Sequence, residues 1–111
     1  MNENTAQVAM TIILNAGDAR VSCKDALNAI AQADFETAEL KIKEANQKIT
    51  IAHKAQTDAI QGETRGEKSE YSLLFAHAQD TLMTIYSEIN IAKQMIKIFK
   101  SYEKRLAALE K

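Results

Sequence analysis

The 111-residue sequence has no proline, no tryptophan, three glycines, one cysteine and only 5 % aromatic residues. Without proline nothing removes a backbone donor inside a helix, and so few glycines leave little to interrupt one. Alanine, the strongest helix former, is the commonest residue. An all-α domain follows. The lone Cys23 excludes an internal disulfide. Basic residues number 14 and acidic ones 15, with no large block of one sign, so nothing points to nucleic acid or an anionic membrane surface. No apolar run approaches the roughly 20 residues of a membrane span, so no direct membrane insertion is expected. No amino-terminal segment has the charged-then-apolar layout of a signal peptide, and a cytoplasmic setting fits. A chain of this length makes one domain, residues 1–111, and its alanine-rich core buries little area per residue. Oligomerisation would supply the missing burial.

Three helices can be placed. The first, about 5–32, has Asn4 or Thr5 as its cap and an apolar stripe of Ala9, Ile12, Ala16, Ala19, Cys23, Ala26 and Ile30. Cys23 on that stripe reads as a small buried hydrophobe without chemistry. Gly17 weakens this helix by roughly 1 kcal/mol relative to alanine, which fits either a tight helix crossing or clearance beside a functional group. Arg20 could offer a bidentate donor to a phosphoryl group or to a partner's carboxylate, but the reading favoured is a solvated surface arginine.

Ala33-Asp34-Phe35 breaks the pattern, with Asp34 capping a second helix over about 35–60. So short a connection makes the first two helices antiparallel. The second stripe runs Ala38, Ile42, Ala45, Ile49, Ala52, Gln56 and Ala59, and the polar Gln56 suggests a wet border near that end. His53 has no carboxylate three or four residues away and is read as structural. Gln61 to Lys68, charged and with two glycines, reads as a loop. It lacks the pattern of a phosphate-cradling loop.

The third helix, about 69–109, is roughly 60 Å long and outruns its partners. Its basic end suits the negative end of the helix dipole. Leu74, Ala78, Leu82, Ile85, Ile89, Ala92, Ile96 and Phe99 form a broad face for packing on the first two helices. A second stripe, Leu73, His77, Asp80, Thr84, Ser87, Ile91, Gln94 and Ile98, is too polar for a core and too apolar for plain solvent. It suits a helix packing on copies of itself, where polar seam residues fix register and number. Three copies would gather three Asp80 carboxylates, whose repulsion calls for a bound cation or shared protons. His77 and Asp80 lie on one helix face. Gln79 is about 200° from His77, so those two side chains can meet only between subunits.

The segment His77-Ala78-Gln79-Asp80-Thr81-Leu82-Met83-Thr84 resembles the active-site signature of the IIA components of the lactose/cellobiose family of the bacterial phosphoenolpyruvate-dependent sugar phosphotransferase system. Ala16-Gly17-Asp18-Ala19-Arg20, Ala52 to Thr57 and Tyr71-Ser72 resemble the corresponding segments of that family in the same order. The resemblance covers nearly the whole chain. It implies an antiparallel three-helix bundle assembling into a homotrimer, with the third helices forming a central parallel coiled coil. It further implies that Asp80 of three subunits shares a divalent metal, commonly Mg²⁺. By the same resemblance His77 is the phosphohistidine nucleophile of a phosphoryl-transfer component. It would take the group on Nε2 from HPr and pass it to a cysteine of the cognate IIB component, during uptake of a β-linked disaccharide through the membrane IIC permease. The disaccharide is not legible: lactose, cellobiose and chitobiose all fit. Gln79 of a neighbouring subunit would hydrogen-bond the phosphoryl group or orient the imidazole. Thr81 departs from many relatives, which carry a histidine there. Two other classes compete. A purely structural trimeric bundle or adaptor explains the seams and leaves His77 inert. A carboxylate-bridged metal enzyme needs repeated Glu-x-x-His ligands, and neither histidine has a glutamate three residues before it.

Overall fold

The computed structural model describes residues 3–66 and 72–110, without the side chains of residues 63 and 64. Three helices follow in order: α1 (Glu3–Ala31), α2 (Phe35–Thr64) and α3 (Leu73–Leu109). They form an elongated bundle of 66 × 21 × 18 Å.

The buried stripes repeat at three- and four-residue intervals. Ala9, Ile12, Ala16, Ala19, Cys23, Ala26 and Ala29 are buried on α1, and Ala38, Ile42, Ala45, Ile49, Ala52 and Gln56 on α2. On α3 the buried set is Ala78, Leu82, Ile85, Ile89, Ala92 and Ile96. Ten of the eighteen buried apolar residues among the described ones are alanines. Such helices approach closely and gain little transfer free energy per residue, so the few large buried side chains, Ile12, Leu82, Ile85 and Ile89, carry a disproportionate share.

The α1–α2 connection is built from two caps sharing one residue. Asp34 N–H donates to the Ala29 carbonyl at 2.9 Å and Ala33 N–H to that of Ile30 at 2.9 Å, which closes α1 in a Schellman motif. Ala33 takes the left-handed conformation this requires, with φ of 56°. Asp34 then caps α2, its Oδ1 accepting from the Thr37 N–H at 3.2 Å, as expected from sequence. Hydrogen bonding from the Thr37 hydroxyl first, and from its backbone N–H second, holds the carboxyl below its ordinary pKa.

Several boundaries differ from the sequence expectation. Asn4 and Thr5 lie inside α1, which already begins at Glu3, so neither is its cap. Ile30 is half-buried, and Ala29 takes the core position beside it. The second helix continues through Gln61 and a buried Gly62 to Thr64. Tertiary packing overrides the low helix propensity of glycine there. Arg65 N–H then bonds to the Gln61 carbonyl at 3.0 Å, and Gly66 turns the chain at φ of 88°. Ser69 and Tyr71, assigned to the entry of the third helix, lie outside the described residues. The cap of α3 is Ser72, whose Oγ accepts from the Phe75 N–H at 3.1 Å. Phe99, expected on the packed face, is exposed along with every residue from 97 to 110. Lys100 pairs with Glu39 in the second turn of α2, close to where the α1–α2 hairpin ends. Past that level, among the described residues, there is no helix of the same chain for α3 to pack on.

Candidate functional site

His77 stands in the second turn of α3, set by the Ser72 cap and by the burial of Ala78 and Leu82 on the opposite side of the helix. Its imidazole is exposed, as is Asp80 one turn on. Thr81, half-buried, donates from Oγ1 to the His77 carbonyl at 2.8 Å. A threonine hydroxyl used in this way is turned along its own helix, where it ties the backbone of His77 and leaves the ring untouched. Gln79 is half-buried, on the other side of α3 from His77. The unbroken helix keeps their side chains apart, as the spacing requires.

The whole second stripe of α3 is open. Leu73, His77, Asp80, Thr84, Ser87, Ile91, Gln94 and Ile98 are all exposed in the single chain. Among the described residues, His77 and Asp80 thus sit on a helix face that no other part of the chain covers. Among the described residues no three His, Cys, Asp or Glu side chains gather as a metal site. One chain presents Asp80 as a single carboxylate, so a cation could be held there only by several chains together.

Arg20 is committed elsewhere. Its Nε and one terminal nitrogen reach the Glu88 carboxylate at 3.2 and 2.8 Å, a bidentate pair within the chain where the sequence favoured a merely solvated arginine. Glu88 raises the guanidinium pKa further, first through these hydrogen bonds. Glu88 is eleven residues beyond His77, roughly 16 Å along the helix, so the pair joins α1 to α3 and does not reach the imidazole. Sequence alone concealed it because the partners are distant in the chain. Cys23 is buried as expected, and burial first, with nearby Glu88 second, pushes its thiol pKa up and away from reactivity.

Gly17 is exposed, and a Cβ built on it would meet nothing within 4 Å. A tight crossing inside the chain is therefore excluded. Gln56 is buried in the core. Counting along the antiparallel helices from the Lys100–Glu39 pair puts it about level with Met83 and puts Gly62 about level with His77. Beyond Gln56, Asp58 and Ala59 line a groove between α1 and α2 with Asn4, Gln7 and Thr11, and Gln56 itself is not part of it. His53 is exposed on α2.

A three-helix bundle with an exposed imidazole on a bare face of its third helix offers a surface for another protein rather than an enclosed pocket. Residues 7–100 match the family of lactose/cellobiose-specific IIA subunits of the phosphotransferase system. The chain is 36 % identical over 108 residues to the lichenan-specific phosphotransferase enzyme IIA component of Bacillus subtilis, covering 97 % of this chain and 98 % of that protein. It is 40 % identical over 101 residues to the lactose-specific EIIA component of Staphylococcus epidermidis, covering 90 % and 97 % respectively. The crystal structure of the cellobiose-specific enzyme IIA from Bacillus anthracis superposes with a TM-score of 0.88 at 36 % identity, over 94 % of this chain and 95 % of that one. The chain belongs to the lactose/cellobiose-specific IIA family and is a phosphotransfer component of a sugar phosphotransferase system. None of the helices, among the described residues, is long and apolar enough to cross a membrane.

Proposed function

We propose that His77 is the phosphoryl carrier. A neutral imidazole is a good nucleophile near pH 7, and phosphoryl transfer needs alignment and charge stabilisation more than acid–base groups, which suits so sparse a site. Nε2 of His77 attacks the phosphorus of the phosphohistidine of HPr. The donor N–P bond breaks as the new one forms, and the donor imidazole leaves neutral after taking up a proton. In the second transfer the thiolate of a IIB cysteine attacks the same phosphorus, and His77 is released. The transported sugar is a β-linked disaccharide of the lactose, cellobiose or chitobiose class, and the transfers take place in the cytoplasm beside the IIC permease.

The observation that carries this reading is an exposed His77 on an uncovered helix face, inside a segment that resembles the signature of the family. That same face supports assembly as a homotrimer, with Gln79 of one subunit serving the His77 site of the next. Asp80 from three subunits would hold one divalent ion, Mg²⁺ by resemblance, which would neutralise like charges at the trimer axis. The decisive experiment incubates the protein with phosphoenolpyruvate, enzyme I and HPr. An acid-labile phosphate adduct should form and should discharge when the cognate IIB component is added. No adduct would leave only a structural bundle or adaptor.

A further inference from the structure

Lys93, Lys97, Lys100 and Lys104 follow one another on α3 at intervals of four, three and four, so all four lie on one helix face over roughly 16 Å. The helix dipole does not account for them. Its pull on cations fades within the last turn of a helix, and the last turn of α3 holds no basic residue. Nor does the fold satisfy them. Lys100 pairs with Glu39, while Lys93, Lys97 and Lys104 make no ion pair among the described residues. Lys93 is half-buried and the other three are exposed. Where this ridge meets α2, Glu39, Ile42, Lys93, Gln94, Ile96 and Lys97 line an open groove of about 290 Å³. The nearly buried Ile42 and Ile96 form its floor, and the ammonium groups of Lys93 and Lys97 stand at its rim.

The surroundings of the ridge select its ligand. An anionic bilayer holds a helix through an apolar face that enters it, with cations along the edges. Within its span the ridge has Gln94 and Ser101 along one edge and Glu103 along the other, and no large exposed apolar side chain. A polynucleotide would bring a run of phosphates against Glu36, Glu39 and Glu103, on a chain whose net charge of −1 gives no general attraction. An acidic helix meets neither obstacle. It sets one carboxylate per lysine, and the methylenes of its glutamates can cover an apolar floor. The fold already contains one such contact, since Glu39 reaches Lys100 from the neighbouring helix α2.

We infer that the lysine ridge from Lys93 to Lys104, with the groove at its base, is a docking surface for an acidic helix of a partner protein. The carboxylates of that helix recur at the same three- and four-residue intervals, and one of its glutamates lies over Ile42 and Ile96 between Lys93 and Lys97. The ridge begins sixteen residues beyond His77, roughly 24 Å along α3, and lies about 140–180° round the helix from it. A partner held there leaves the imidazole open, so the ridge can tether one protein while His77 meets another. The inference goes beyond phosphoryl carriage and does not require it.

The test uses the full-length protein and two alanine-based helical peptides of the same composition, each with four glutamates. In the first peptide the glutamates recur at intervals of four, three and four, and in the second they are spread round the helix. Fluorescence anisotropy should show the first binding about fivefold or more tighter than the second. Lys97 and Lys104 are exposed, so Lys97→Glu with Lys104→Glu should fold, as circular dichroism checks, and should weaken binding of the first peptide about tenfold or more. Phosphoryl uptake from phospho-HPr should be the same with and without the bound peptide. No binding of the first peptide, equal binding of both, binding that the double variant keeps, or a peptide that blocks uptake would overturn the inference. So would phosphatidylglycerol vesicles or single-stranded RNA that bind through these lysines while the first peptide does not. A chain that binds the first peptide through these lysines but takes no phosphoryl group keeps the ridge and loses the carrier function. The reverse result loses the ridge alone.

Discussion

Ala33 holds the hairpin between α1 and α2 in a conformation that suits glycine better than any L-residue. At φ of 56° its Cβ crowds the neighbouring carbonyl, a strain of roughly 1–2 kcal/mol that glycine does not carry. Glycine would give back about 0.4–1 kcal/mol of this through the larger entropy of the unfolded chain. Ala33→Gly should therefore stabilise the protein by a net ~0.5–1 kcal/mol. The two hydrogen bonds of the motif, from the N–H groups of Ala33 and Asp34, are backbone bonds that the substitution keeps. For a chain of this size the gain corresponds to a rise in melting temperature of about 2–6 °C. Thermal unfolding followed by circular dichroism at fixed protein concentration measures it. The control is Ala31→Gly, in the last turn of α1, which should instead lower stability. A lower melting temperature for Ala33→Gly would refute the strain reasoning and mean that the alanine methyl makes a contact worth more than the strain.

Leu82→Ala removes one of the few large, fully buried side chains and should cost about 2–5 kcal/mol in denaturant unfolding, a large fraction of what an alanine-rich core supplies. Asp34→Ala should destabilise the fold at neutral pH. Because the folded carboxyl titrates below its ordinary value, its contribution is present above the unfolded pKa and is lost as pH falls through the folded one. Wild-type and variant stabilities should thus converge in acid, and a gap independent of pH would assign the loss to something other than the carboxylate. Asp80→Leu should remove any dependence of assembly on divalent metal and strengthen the assembly, since packing replaces like charges. An unchanged metal response in sedimentation would place the ion elsewhere.

The core was legible because its residues recur at strict three- and four-residue intervals. Ala9 to Ala26 on α1, Ala38 to Gln56 on α2 and Ala78 to Ile96 on α3 are all buried where the spacing puts them. The Asp34 cap was legible too, since its partner is only three residues away. What the sequence concealed depends on neighbours distant in the chain. Gly62 looks like a loop residue until packing carries α2 past it. Phe99 continues the periodicity of the packed face, but the α1–α2 hairpin ends near its level. Arg20 looks available to a phosphoryl group until Glu88 on another helix claims it. At the site, the separation of His77 from Gln79 followed from helical geometry alone. The open face around His77 and Asp80 needed the packed bundle to be seen, because exposure depends on what fails to cover a residue.

His77 is the central claim, and His53 is the only other histidine in the chain. The most direct measurement compares phosphoryl uptake from phospho-HPr by the wild-type protein, His77→Gln and His53→Gln. Carriage on His77 predicts an acid-labile adduct on wild type and on His53→Gln and none on a folded, assembled His77→Gln. An adduct that survives His77→Gln would contradict it.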